Sequence, residues 1–303
     1  MLLKCYPLLL FVVLSSNPIY AQQHCWLSGG HPMPVVSAQS SQKMEADLAN
    51  ALKRLESNPK DLDVLIWAGR RTAYLGKYQQ SLDYFSKAIA LHPGAAAPFR
   101  HRGHRYITLR CFDKAIYDFE RAVALTNGLP DEVEPDGMPN EQNIPTSTLQ
   151  SNIWYHLGLA HYLKGDFERA VESYKACLAV SRNPDMYMAT ANWYYLALLR
   201  AGKKEAAEDF LAGLDLQVTL IENQVYLRLL QLHRQGKVPE DPMIFLQREA
   251  GLEGVTYAYG LGAFLLIKGE KEKARQVFQH ILQLQQWGAF GWIAAEIELT
   301  RSK

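Results

Sequence analysis

The 303-residue chain lacks most of the features by which a sequence announces a chemistry. Its four cysteines, at positions 5, 25, 111 and 177, are too few and too scattered for a disulfide framework. With Cys5 set aside in the leader described below, at most one bridge can form and one thiol is left over. No C-x-x-C, H-E-x-x-H, G-x-S-x-G or Gly-rich phosphate loop is present. No stretch after residue 21 reaches about 18 consecutive apolar residues, so no membrane span is expected in the mature chain. A surplus of one charge is missing too. Without Lys4 the 32 basic residues become 31, against 31 acidic ones. A general nucleic-acid binder needs a basic footprint, and this chain has none.

What is there begins with a leader. Lys4 precedes a nearly continuous apolar run from Tyr6 to Leu14, Asn17-Pro18 breaks it, and Tyr20-Ala21 ends it on a small residue. That is the pattern of a secretory signal peptide cleaved after Ala21, which implies an exported, periplasmic or secreted protein. Cys25 follows Gln22-Gln23-His24, which is not a lipid-anchor context. Residues 22–41 are rich in Pro, Gly and Ser and read as a linker.

The rest is periodic. Gly69, Phe85 and Ala88 are followed 34 residues later by Gly103, Phe119 and Ala122. Gly158, Ala170 and Tyr174 form a third copy, displaced by an insertion at 127–149. "WYYLALLRAGKKEAAEDFL" gives a fourth, read as two residues short, with Ala197 in place of the glycine. Gly262, Gly269, Ala274 and Phe278 mark another. The chain resembles the tetratricopeptide-repeat (TPR) family, whose unit is a helix-turn-helix of about 34 residues. The resemblance covers about two thirds of the chain. It implies an all-α fold: a right-handed superhelix of TPR helix-turn-helix repeats, an α-solenoid, over 42–303. The repeats fall at 62–95, 96–127, 151–182, 190–214 and 255–284. Residues 213–250 fit poorly, although "IENQVYLRLLQLHRQGK" has helical spacing. The last stretch, "WGAFGWIAAEIELTR", reads as an amphipathic C-terminal capping helix with a polar outer face.

Stacked repeats curve and line a concave groove with the first helix of each unit. Carried along the repeats, the stripe beside the packing face gives Arg70 and Tyr74, then Arg100 and His104, then Tyr155, Leu159 and Tyr162, then Tyr194, then Tyr259. Its N-terminal half is basic and its C-terminal half aromatic and aliphatic, the side chains that partner-binding surfaces favour. Family members that bind chaperones hold a carboxylate in a Lys/Asn/Arg clamp. Ile66, Arg70 and His104 stand where such groups begin, so that clamp is not present as such. The insertion carries Asp131, Glu132, Glu134 and Asp136 and no Lys or Arg. It is within reach of the arginines of repeats one and two, where it is expected to dock as a weak, regulatory gate.

These residues point to a non-catalytic scaffold that binds a protein or peptide, with no cofactor and no metal. Two other readings stay open. One is an enzyme or metal site centred on His101 and His104, although Cys111 lies about two helical turns from His104 and no third ligand is placed. The other is self-association into a homo-oligomer.

Overall fold

The computed structural model describes residues 38–237, 241–246 and 251–301. The leader expected at 1–21, and most of the linker expected at 22–41, lie outside them. Among the described residues there are fourteen helices and no strand, only an isolated antiparallel bridge between Val133 and Thr148. Helix α1 (Ala38–Ser57) leads into four helical pairs. These are α2 (Leu62–Tyr74) with α3 (Tyr78–Leu91), α4 (Ala96–Thr108) with α5 (Phe112–Thr126), α6 (Leu149–Lys164) with α7 (Phe167–Val180), and α8 (Pro184–Arg200) with α9 (Lys204–Gly213). After them come α10 (Gln224–Gln235), the single turn-and-a-half α11 (Pro242–Leu246), the pair α12 (Gly251–Ile267) and α13 (Lys271–Gln283), and finally α14 (Phe290–Arg301).

The repeat is a space-filling rule. A Cβ at Gly103 would stand 2.8 Å from the ring of Phe119, sixteen residues on. The same holds at Gly69 against Phe85 (2.5 Å), Gly158 against Tyr174 (2.7 Å) and Gly262 against Phe278 (2.5 Å). Each pair lets the ring of the second helix lie flat on the backbone of the first. Such rings remove a large apolar area from water, which is the main stabilising term of the fold. Between the helices the chain turns through a left-handed residue, at Gly76, Gly165, Gly202 and Gly269 with φ of 72°, 89°, 76° and 86°, and at Arg110 with φ of 60°.

That turn corrects the reading of the fourth repeat. In the other copies the small residue lies seven positions before the left-handed residue and the ring nine after it. Counted from Gly202, those positions are Tyr195 and Leu211, not Ala197. The repeat is of standard length, with the larger side chain on the first helix and the smaller on the second; both are buried.

Two features join helices that are not neighbours in the pairwise array. Helix α10 packs against both α8 and α12, so the stretch that fits the repeat poorly still supplies a first-helix element. Its start is fixed by Asp185, whose buried carboxylate accepts hydrogen bonds from the backbone N–H groups of Ile221, Glu222 and Asn223 at 2.8–3.1 Å. Helix α14 packs on α12 and α13 as a terminal cap does, but it also reaches α6. Gly291 allows the close packing on α12, because a Cβ there would lie 2.8 Å from the carbonyl of Val255. The expected polar outer face is absent. Gly291 to Glu296 are buried in succession, and so is Glu298.

Candidate partner-binding cavity

The concave side is filled from both ends by the chain itself. From one end comes the insertion. Asp131 accepts from the hydroxyl of Thr148 (2.6 Å) and the N–H of Gln150 (3.0 Å), tying the loop to the start of α6. Glu134 then turns inward and is buried. One carboxylate oxygen lies 3.0 Å from Arg100 Nε and accepts from Asn152 Nδ2 at 3.2 Å; the other lies 3.6 Å from His101 Nε2. Beyond it Arg70 donates to the carbonyl of Pro135 (2.8 Å) and Arg71 to that of Gly137 (2.9 Å). Gly137 lies so close to Tyr74 that a Cβ would overlap its hydroxyl. Of the four acids, only Glu134 is inserted among the arginines. Asp131 caps a helix, Glu132 is exposed and Asp136 is half-buried.

From the other end comes α14. Arg110 donates to Glu296 Oε2 (2.9 Å), to the carbonyl of Trp287 (3.1 Å) and to its own neighbour Thr108, with its guanidinium 3.9 Å above the Trp287 ring. Arg200 donates to Glu298 (2.6 Å), and Arg301 to the carbonyl of Leu163 (2.5 Å).

Between the two fillers remains a cavity of about 600 Å³. Arg70, Arg100, His104, Asn152, Tyr155 and His156 of the repeats line it, with Glu134, Asp136 and Thr146 from the insertion, Glu222 from the turn before α10, Tyr226 from α10, and Phe290 from α14. Thr146 donates to Glu222, and the hydroxyls of Tyr155 and Tyr226 are 3.3 Å apart. The lining therefore offers guanidinium, imidazole, carboxylate and phenol groups together.

Only part of the expected groove lies in this lining. Arg70, Arg100, His104 and Tyr155 do. Leu159, Tyr162 and Tyr259 are core residues, at most 2% exposed, with Tyr259 donating to Tyr162 at 3.0 Å. Tyr74 lies under Gly137, and Tyr194 packs edge-on to Phe210 of its own repeat, 4.8 Å between centroids. The expected open apolar half of the groove is thus closed, because the long-range approach of α12 and α14 covers it. Asn152 could have been found by extending the Tyr155 stripe back one turn. Glu222, Tyr226 and Phe290 have no such signal, since nothing local says which face α10 and α14 meet. His101 and His104 do not converge. His101 stacks on Phe85 and takes a hydrogen bond from Arg100 (3.1 Å), while His104 lies against His156 and Phe290. No group of three metal-ligating side chains is placed together among the described residues.

A family profile described as "Tetratricopeptide repeat" matches residues 151–184, which are α6, α7 and the turn into α8. The same glycine-on-ring contact recurs at Gly69, Gly103 and Gly262. Residues 151–184 match a tetratricopeptide repeat, and the other glycine-marked copies share its packing rule. No curated protein matches it. Among solved structures, a tetratricopeptide repeat protein from Parabacteroides merdae is 15% identical over 87% of this chain and 94% of that one, with a TM-score of 0.48. YrrB, described as a TPR protein with an unusual peptide-binding site, is 16% identical over 82% and 97%, with a TM-score of 0.43. MamA is 17% identical over 57% and 82%, with a TM-score of 0.44. Likenesses this loose carry no argument.

Five histidines, four of them buried and His104 half-buried, are held towards the neutral form. Burial, then the charge of Arg100 or Arg105 close by, holds His101, His104 and His156 well below the usual imidazole value. Burial lowers His161 to about 4 and His233 to about 3. In the unfolded chain each titrates near its ordinary value of about 6.5. As pH falls from there towards 4, the unfolded state takes up protons that the folded state refuses, and stability drops. Asp118 and Asp136, both raised by burial, act with the opposite sign, but close to the carboxylate range. The urea midpoint should therefore be lower at about pH 5 than at about pH 7.5. Equal midpoints would contradict neutral buried histidines.

Proposed function

We propose that this protein is an exported, non-catalytic scaffold that seats a short segment of a partner protein in the concave cavity. The observation that carries the reading is the cavity itself. It is about 600 Å³, enclosed on one side by the insertion and on another by the start of α14, and lined by charges of both signs and by aromatic rings. The tetratricopeptide repeat is generally a non-catalytic scaffold, which supports binding over turnover. No helix among the described residues is long and apolar enough to cross a membrane. Export is supported by the basic, apolar and small-residue order of residues 1–21. With Arg70 and Arg100 lining the same cavity as Asp136, Glu222 and Glu253, it suits a segment carrying both a basic and an acidic group.

The test is selection of peptides from a displayed random library on the purified chain, followed by two variants. Thr256 lines the cavity and is half-buried, so Thr256→Trp fills it. Asp136→Lys reverses one of its charges. Selected peptides should bind the parent and lose about tenfold or more in affinity for each variant, with circular dichroism unchanged. Failure to select any peptide, or equal binding to both variants, would overturn the reading. Conversion of a bound peptide, seen by mass spectrometry, would replace the scaffold with an enzyme.

A further inference from the structure

The charges that line the concave cavity do not balance. Arg70 and Arg100 stand against Glu134, Asp136, Glu222 and Glu253, a surplus of two negative charges while the histidines are neutral. The insertion already engages both arginines, Arg100 with Glu134 and Arg70 with the carbonyl of Pro135. Glu134 is spent in that contact. The other three acids have no ion-pair partner among the described residues. Asp136 is half-buried, and Glu222 and Glu253 are exposed, so they line the cavity towards its opening. Burial, then the charge of Glu222, raises the Asp136 carboxyl, and Arg70 and Arg100 offset this only in part.

Two further observations describe what would complete the cavity. His156 lines it and is 4% exposed. Its Nδ1 donates to the carbonyl of Asn152 at 2.6 Å, which leaves Nε2 an acceptor without a partner. A buried acceptor beside unpaired acids calls for a donor. Leu252 lines the same cavity and is 60% exposed, one of the few large apolar side chains left in water. Tyr155, Tyr226 and Phe290 add ring faces, which attract cations. A metal ion does not fit, since no group of three ligating side chains is placed together among the described residues. A cationic head on an apolar stem fits both the acids and the exposed leucine.

We propose that the anchor of the bound segment is a basic side chain, lysine or arginine, with its head among Asp136, Glu222 and Glu253 and its stem on Leu252. This rests on the scaffold reading and deepens it. The acidic group of the segment contributes less, because Arg70 and Arg100 must first leave contacts they already make. A chain N-terminus carries the same charge as lysine but lacks the stem.

NMR titration of the purified full chain at fixed ionic strength tests it. The probes are N-acetyl-lysine methylamide, its norleucine and glutamate analogues, and alanine methylamide with a free amine. The lysine probe should bind about tenfold or more tightly than the norleucine and glutamate probes. Asp136→Asn with Glu222→Gln should abolish that preference. These replacements keep shape and remove two like charges, so the thermal midpoint of the double variant should equal or exceed that of the parent. Tighter binding of alanine methylamide than of the lysine probe would overturn the side-chain assignment in favour of a chain terminus. Equal binding of lysine and norleucine, a preference for glutamate, binding by none of the probes, or a lysine preference that survives in the variant would each overturn the cationic anchor. So would a lower midpoint in the variant, since the acids would then be holding the insertion in place. The scaffold reading fails separately. Library peptides that bind without lysine or arginine would sink the anchor alone, whereas failure to select any peptide sinks the scaffold.

Discussion

Gly103→Leu should unfold the second repeat or destabilise the protein by about 3 kcal/mol or more, the upper end of what overpacking costs. The ring atoms of Phe119 would lie 2.8–3.1 Å from the first new carbon, and three further carbons must follow it. Phe119 is completely buried and cannot swing aside. The rest of the second helix is equally fixed, with Ala115 and Ala122 fully buried on the same face. The added side chain must therefore part α4 from α5. Phe119→Ala alone should cost about 3–5 kcal/mol by opening a void. Combined with Gly103→Leu it should cost less than the two losses added, since the leucine occupies the space the ring has left. Urea unfolding followed by circular dichroism and by tryptophan emission measures both. An unchanged midpoint for Gly103→Leu would mean that these helices do not touch along this line. Strict additivity in the double variant would mean that glycine and ring do not face each other.

That rule explains why the repeats were legible. A contact between residues sixteen apart, repeated every 34, leaves its mark directly in the sequence. The fourth copy was misplaced for the same reason. It has the buried pair Tyr195 and Leu211 at these two positions, so the glycine marker is gone. Helix α10 was legible as a helix from its apolar spacing, but its seat between α8 and α12 is set by contacts that no local pattern encodes. The insertion was half legible. Its acids match the arginines of repeats one and two in charge, and Glu134 is found between Arg100 and His101. Asp131 had another use, since an acid beside Thr148 and the first N–H groups of α6 satisfies a helix start. Least legible was the closure of the groove. Arg110 and Glu296 are 186 residues apart, and nothing in either neighbourhood names the other. The sequence puts Tyr162 of α6 and Tyr259 of α12 on an open inner stripe, whereas both are buried. What the sequence could not say is that α14 would cover them and turn a binding surface into core.

Arg110→Ala should release α14 from the concave side and destabilise the protein by about 3–5 kcal/mol, the usual loss when one member of a buried ion pair is removed. The pair is well enclosed, with Arg110 6% and Glu296 8% exposed. Without the guanidinium, Glu296 keeps its burial and loses its counter-charge, and the carbonyl of Trp287 loses a donor. The residue also occupies a backbone conformation that its side chain opposes. At φ of 60° it stands where four other turns have glycine, at a cost of about 1–2 kcal/mol. Arginine is retained there in spite of the strain, which fits a side chain needed for its reach. Arg110→Gly should therefore be less harmful than Arg110→Ala by about 1 kcal/mol, because it relieves the backbone while losing the same contacts. Arg110→Lys should rescue little, since an ammonium cannot bond Glu296, Trp287 and Thr108 at once while lying flat on an indole. Glu296→Gln in the Arg110→Ala background should recover part of the loss by removing the stranded charge. Hydrogen exchange localises the effect. Amides of α14 should exchange faster in Arg110→Ala, while those of α2 and α3 keep their rates. Because Phe290 is both the first residue of α14 and part of the cavity wall, the same release should open the cavity and change the affinity of selected peptides. Unaltered protection of α14 would show that α12 and α13 alone hold it in place, and that Arg110 is not its anchor.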